Sequence, residues 1–165
     1  MARWYPLEPV DESFFTSAPE IHRYVLDVAV PPERVFESLQ SDQSLAAWGA
    51  AVRSVSWLTP RPFGIGTRRE VVLALGLVTV REQFFRWDEG GRYSFFCTEA
   101  SAPLFTRFAE DYLVEPRPGG ARLTWVVAIE PAPRLRSLAP VTRRLNHVAF
   151  GQAIRSGKKH FAKNP

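Results

Sequence analysis

Between about residues 20 and 130 apolar and polar positions alternate with the period of strands, and beyond Pro140 the spacing becomes that of a helix. From Ile21 to Val30, Tyr24, Leu26, Val28 and Val30 share one parity while Arg23 and Asp27 share the other, the pattern of a half-buried strand. Pro31-Pro32 ends it. Pro32 suits the first turn of a helix, where a missing N–H costs nothing, and Val35, Phe36 and Leu39 give that short helix an apolar face. Ser41-Asp42-Gln43 then caps a second short helix through Leu45 to Trp48, which Gly49 stops.

Six runs rich in β-branched and aromatic residues follow: 52–58, 67–75, 77–87, 92–98, 105–115 and 122–130. Gly64-x-Gly66, Gly76, Gly90-Gly91, Ala102-Pro103 and Pro118-Gly119-Gly120 separate them, and such short turns predict an antiparallel meander. After Pro131, Pro133 and Pro140, Val141 to Phe161 reads as one long helix. Leu138, Val141, Leu145, Val148, Ala149 and Gln152 cluster on one side of it, and Phe150, Ile154 and Phe161 nearly opposite. So wide an apolar surface predicts a helix embedded in a bent sheet. Residues 1–19 have no sustained period and form an arm whose aromatic pairs Trp4-Tyr5 and Phe14-Phe15 either cover the body or serve as a lid or homodimer contact.

Composition narrows the class. The 165 residues, 45% hydrophobic, suit one domain with one core. Cys97 is the single cysteine, which excludes an intrachain disulfide and multi-thiolate zinc. No secretory leader pattern and no apolar stretch of about 20 residues is found, so a cytoplasmic location without membrane insertion is expected. A net charge of +4 does not call for nucleic acid, and the basic cluster Arg155, Lys158, Lys159, Lys163 reads as a solvated helix end.

The order of elements, together with Val28-Ala-Val-Pro-Pro-Glu-Arg-Val-Phe-Glu-Ser-Leu39, Trp48, Gly64-Ile-Gly-Thr-Arg-Arg69, Trp87-Asp-Glu-Gly-Gly-Arg-Tyr93 and Gly119-Gly-Ala-Arg-Leu-Thr-Trp125, resembles the START-like, or SRPBCC, superfamily. The resemblance covers 20–162 and is closest to its polyketide cyclase/dehydrase-like branch. It implies an α+β helix-grip fold: a curved antiparallel sheet of about seven strands wrapped around the C-terminal helix, with two short helices after the first strand. A small hydrophobic ligand such as a lipid or polyketide is then expected in a cavity of roughly 300–1,000 Å³ between sheet and helix. Fold alone leaves the activity open.

No phosphate loop, zinc motif or nucleophile elbow is present, and His22, His147 and His160 are scattered, so no metal and no cofactor are expected. The candidate ligand-binding residues are Tyr24, Arg69, Glu82, Glu110, Tyr112 and Asn146, with the rings of Trp48, Trp57, Phe84, Phe95, Phe108 and Trp125; His147 is a weaker candidate. Glu82 alternates with Val78, Val80 and Phe84, and Glu110 with Phe108, Tyr112 and Val114, which places acids within apolar rows. A carboxylate so placed needs an Arg or hydroxyl beside it, or its pKa rises. Two readings of the polar set stay open. They line the interior, as ligand anchors or as the acid–base group of a cofactor-free cyclase, dehydratase or aromatase; or they form ordinary cross-strand pairs on the outer face, since a one-residue slip moves every side chain outward. A protein-interaction module working through the arm and a sheet edge is the third functional class.

Overall fold

The computed structural model describes residues 3–47, 52–73 and 76–163. The arm holds a two-residue strand β1 (Tyr5–Pro6) and one helical turn α1 (Phe14–Ser17). The body follows as β2 (Glu20–Val28), α2 (Pro32–Gln40), a 3-10 turn (Ser44–Ala47), β3 (Val52–Trp57), β4 (Arg68–Leu73), β5 (Val78–Asp88), β6 (Arg92–Ala100), β7 (Phe105–Arg117), β8 (Gly120–Pro131), a second 3-10 turn (Pro133–Leu138) and α3 (Ala139–Lys163). The sheet runs β2-β8-β7-β6-β5-β4-β3, antiparallel throughout. This is the expected meander of seven strands, with the first strand of the body folded back against the last.

Local chemistry explains the boundaries. Pro31 and Pro32 break β2 and open α2, whose Val35, Phe36 and Leu39 are buried. The second expected helix is only a 3-10 turn in its described part; Trp48 and the Gly49 stop lie outside the described residues. At the β7–β8 hairpin Gly119 and Gly120 both have positive φ (78° and 155°), and a Cβ on Gly120 would lie 1.9 Å from the Val28 carbonyl oxygen. Only glycine lets that turn lie against the end of β2.

The arm completes the sheet. The described β6–β7 pairing ends at Phe96 opposite Ala109. Beyond that point Tyr5 and Pro6 pair with Ala100 and Glu99, Leu7 N–H donates to the Thr98 carbonyl at 2.9 Å, and Glu8 N–H donates to the Thr106 carbonyl at 3.0 Å. Phe14 then buries against Phe96, Ala109 and Ala128 on the convex face. Phe14 and Phe15 therefore cover apolar surface of the body, whereas the Trp4 ring centroid lies 4.0 Å from the Arg81 guanidinium carbon.

One expectation needs correction. α3 is not embedded on both sides: Phe150, Ala153, Ile154 and Phe161 pack on the core, whereas Val141, Leu145 and Val148, with Leu138 at the end of the preceding turn, stand in solvent at 52–64% exposure. The period of the sequence reports two apolar stripes, but β2 and its neighbours offer surface for one.

Candidate functional site

Strand register assembles the interior. Across the concave face run three rows of directly opposed residues: Trp57–Arg69–Glu82–Cys97, then Phe84–Phe95–Glu110–Val127–His22, then Trp87–Tyr93–Tyr112–Trp125–Tyr24. The parity that put Glu82 and Glu110 in apolar rows is the parity of this face. Both acids are buried and bonded to residues of this face, Glu82 to Arg69 and Glu110 to Tyr112 and Trp125, which decides against the outer-face reading.

Arg69 is at the centre, with no exposed surface. Its Nε donates to Glu82 Oε2 at 2.5 Å, and its guanidinium carbon lies 4.6 Å from the ring centroid of Phe95, 5.1 Å from Phe84, 5.3 Å from Trp57 and 6.0 Å from Tyr93. A cation caged by rings and paired to one carboxylate keeps its charge despite burial. Burial is the strongest single influence and works against ionisation of the guanidinium, but the charge and hydrogen bond of Glu82, together with the nearby Tyr93 and Tyr112, outweigh it, and its pKa rises. For Glu82 burial outweighs the pull of Arg69, so its pKa is raised. Among the described residues, the buried side-chain atoms without a hydrogen-bond partner are Arg69 Nη1, Arg69 Nη2 and Tyr93 Oη. Tyr93 Oη lies close enough to Arg69 for the guanidinium to pull its pKa down by charge and by a contact too poorly aligned for a full hydrogen bond, but burial outweighs both and raises the phenol pKa.

Glu110 forms the second polar group. Its Oε2 accepts from Tyr112 Oη at 2.6 Å and from Trp125 Nε1 at 3.0 Å. Burial, reinforced by the Glu82 charge, pushes its carboxyl up to about 7, while those two donors and Arg69 pull the other way. Such a group can hold or release a proton near neutrality. Cys97 is the reverse case: burial raises its thiol pKa well above the ordinary value, so it is no nucleophile.

A third cluster ties α3 to β2. Glu20 Oε1 meets His22 Nε2 at 2.6 Å and accepts from Asn146 Nδ2 at 3.0 Å; Tyr24 Oη lies 3.2 Å from both Nδ1 and the carbonyl oxygen of His147. Among the described residues no group of three His, Cys, Asp or Glu could hold a metal ion.

The sequence candidates thus separate. Trp57, Arg69, Glu82, Phe84, Phe95, Glu110, Tyr112 and Trp125 meet in the interior, while Tyr24, Asn146 and His147 lie at the α3 seam. Phe108 is concave too, but its ring partner is Phe105 at 5.1 Å. Trp48 lies outside the described residues. Sequence reasoning passes over Tyr93, which shares parity with Phe95 in the same strand, and over Phe36, Phe63 and Trp87, whose rings extend the cage. It also passes over Glu20 and His22, which only the long-range meeting with Asn146 makes notable. Two surface depressions open where α3 meets the body. One of about 670 Å³ lies between Glu20, Glu130, Arg136 and Arg143, and one of about 330 Å³ between Arg34, Glu37, His160 and Phe161.

Known proteins place the chain. It matches the family described as "Polyketide cyclase / dehydrase and lipid transport" over residues 22–162. An uncharacterized protein of Mycobacterium tuberculosis is 37% identical over 156 residues, covering 94% of this chain and 93% of that one. Among solved structures, a START superfamily protein from Mycobacterium smegmatis superposes with a TM-score of 0.74 at 9% identity, over 88% of this chain and 99% of that one. A protein from Thermus thermophilus gives 0.69 at 21% identity, over 88% and 97%. Likeness at such identity speaks for the fold alone. The chain belongs to the polyketide cyclase/dehydrase and lipid transport family of the START-like superfamily.

Proposed function

We propose that the protein binds a small hydrophobic molecule against the concave aromatic rows and holds one neutral carbonyl oxygen of it with Arg69 and Tyr93. The observation that carries this reading is the set of unpartnered donors: two guanidinium nitrogens and a phenol, all buried, all among rings. An unpaired buried donor costs about 1–3 kcal/mol, which a ligand oxygen would recover. Charge selects the kind of oxygen. Arg69 is already neutralised by Glu82, and Glu110 adds negative charge as it ionises, so a carboxylate would be repelled where a ketone or ester would not. Family membership supports hydrophobic-ligand binding in general.

Glu110 supports a second reading, a cofactor-free enzyme of the cyclase or dehydratase kind, because a carboxyl that titrates near neutrality beside a carbonyl site can take a proton from the adjacent carbon. One experiment addresses both. A long-chain methyl ketone and the matching alkane are titrated against the full chain by tryptophan fluorescence, and exchange of the ketone's α-protons with deuterium is followed by NMR. The ketone should bind about tenfold or more tighter, as hydrogen bonds from a charged donor predict. In the double variant Arg69→Met/Glu82→Met, which removes the ion pair as a unit, that preference should vanish. Equal affinities in the native protein would refute the anchor. The enzyme reading requires α-proton exchange that Glu110→Gln abolishes while binding persists; without exchange in the native protein, only the binder stands.

A further inference from the structure

We propose that the solvent-facing side of α3 docks on an anionic lipid bilayer surface. Leu138, Val141, Leu145 and Val148 recur at spacings of three and four and are 52–64% exposed, so about three helical turns present one continuous apolar row away from the body. No helix among the described residues is long and apolar enough to cross a membrane, and the row is instead suited to lying in the interface plane.

Charge identifies what covers it. Residues 132–165 carry eight Lys and Arg and no Asp or Glu, whereas residues 1–131 carry thirteen basic and seventeen acidic side chains. At about 100° per residue Arg144 and Arg155 border one side of the apolar row, and Lys159 and Lys163 continue its line toward the C-terminus. Among the described residues none of Arg143, Arg144, Arg155, Lys158, Lys159 and Lys163 forms an ion pair. An apolar row bordered by free cations matches acyl chains bordered by anionic headgroups. A second copy of the chain fits less well, since joining two such faces sets uncompensated cations against their like. Nucleic acid would satisfy the cations and leave the Leu and Val row without a role.

Sedimentation of the full chain with vesicles tests the proposal. Phosphatidylcholine vesicles are compared with vesicles containing about 30% phosphatidylglycerol, at low and high salt. Partitioning should be about tenfold or more stronger onto the anionic vesicles, should weaken with salt, and should fall about tenfold in Val141→Ser/Leu145→Ser, whose side chains already stand in water. Circular dichroism of the variant confirms that it is folded. Absence of binding to anionic vesicles at low salt overturns the proposal. So does equal binding by the variant, which would reduce the contact to charge adsorption. Concentration-dependent dimerisation, lost in the variant and unaccompanied by vesicle binding, would assign the face to a second copy.

Discussion

At the scale of the residue, burial makes both interior acids, Glu82 and Glu110, hold their protons to higher pH. Glu110 carries the proton to about pH 7, whereas an unfolded glutamate releases it near its ordinary value of 4.5. Between those values the folded chain holds a proton that the unfolded chain has lost, so stability falls as pH rises through this window and is flat above it. The range corresponds to roughly 3 kcal/mol at most. Glu82, also raised, acts in the same sense. Asp27 acts in the opposite one: the Arg122 hydrogen bond, helped by Arg117, lowers it to about 2, and its contribution is lost only as pH falls below the ordinary aspartate range. Glu110→Gln keeps an acceptor for Tyr112 and Trp125 but cannot ionise. Urea unfolding at pH 5 and pH 8 should therefore show the native protein less stable at pH 8 and the variant with a much smaller difference. An unchanged pH dependence would mean that Glu110 is ionised at neutrality. The buried polar residues themselves were legible beforehand, because Glu82 and Glu110 interrupt apolar parity and an acid there demands a partner. What parity could not supply was the identity of that partner: that Arg69 stands opposite Glu82 is a matter of register between two strands, fixed by the whole sheet.

At the scale of the element, the strands and α2 were readable because each is punctuated by proline or glycine with a mechanical reason. Two features resisted for the opposite reason. β1 is two residues long and carries no period; it exists because β6 and β7 part beyond Phe96 and leave N–H and C=O groups that Leu7 and Glu8 satisfy. α3 has two apolar stripes, and periodicity announces both without saying which one the sheet receives. The glycine turns offer a sharper test. Gly119 and Gly120 both have positive φ, yet a Cβ on Gly119 would meet nothing within 4 Å while one on Gly120 would meet the backbone of Val28 and Ala29. Gly119→Ala should cost about 1 kcal/mol, the strain of its φ alone, and Gly120→Ala roughly 2–4 kcal/mol because backbone must move. Chemical denaturation separates them; equal losses would show that β2 yields easily at its end.

At the scale of the whole molecule, stability is unevenly shared. β6, β7 and β8 are paired on both sides and buried on both faces, the convex one under the arm and Phe14. α3 has one face on the core and only Gly157 and Phe161 fully buried along its 25 residues; its N-terminal half is held by Asn146 to Glu20 and Tyr24 to His147. A segment with few buried groups and a handful of polar ties opens at lower free energy than the body it covers. Opening it would uncover Trp125 and Tyr24, at the end of the row that leads to Tyr93, so α3 lies over one end of the proposed ligand site. Hydrogen exchange followed by mass spectrometry should find the amides of residues 141–150 exchanging about a hundredfold or more faster than those of β7 and β8. Asn146→Ala should quicken exchange in α3 further without altering the strands. If α3 and the strands exchanged together, at the rate of global unfolding, the helix would be a fixed wall, and a ligand would have to enter elsewhere.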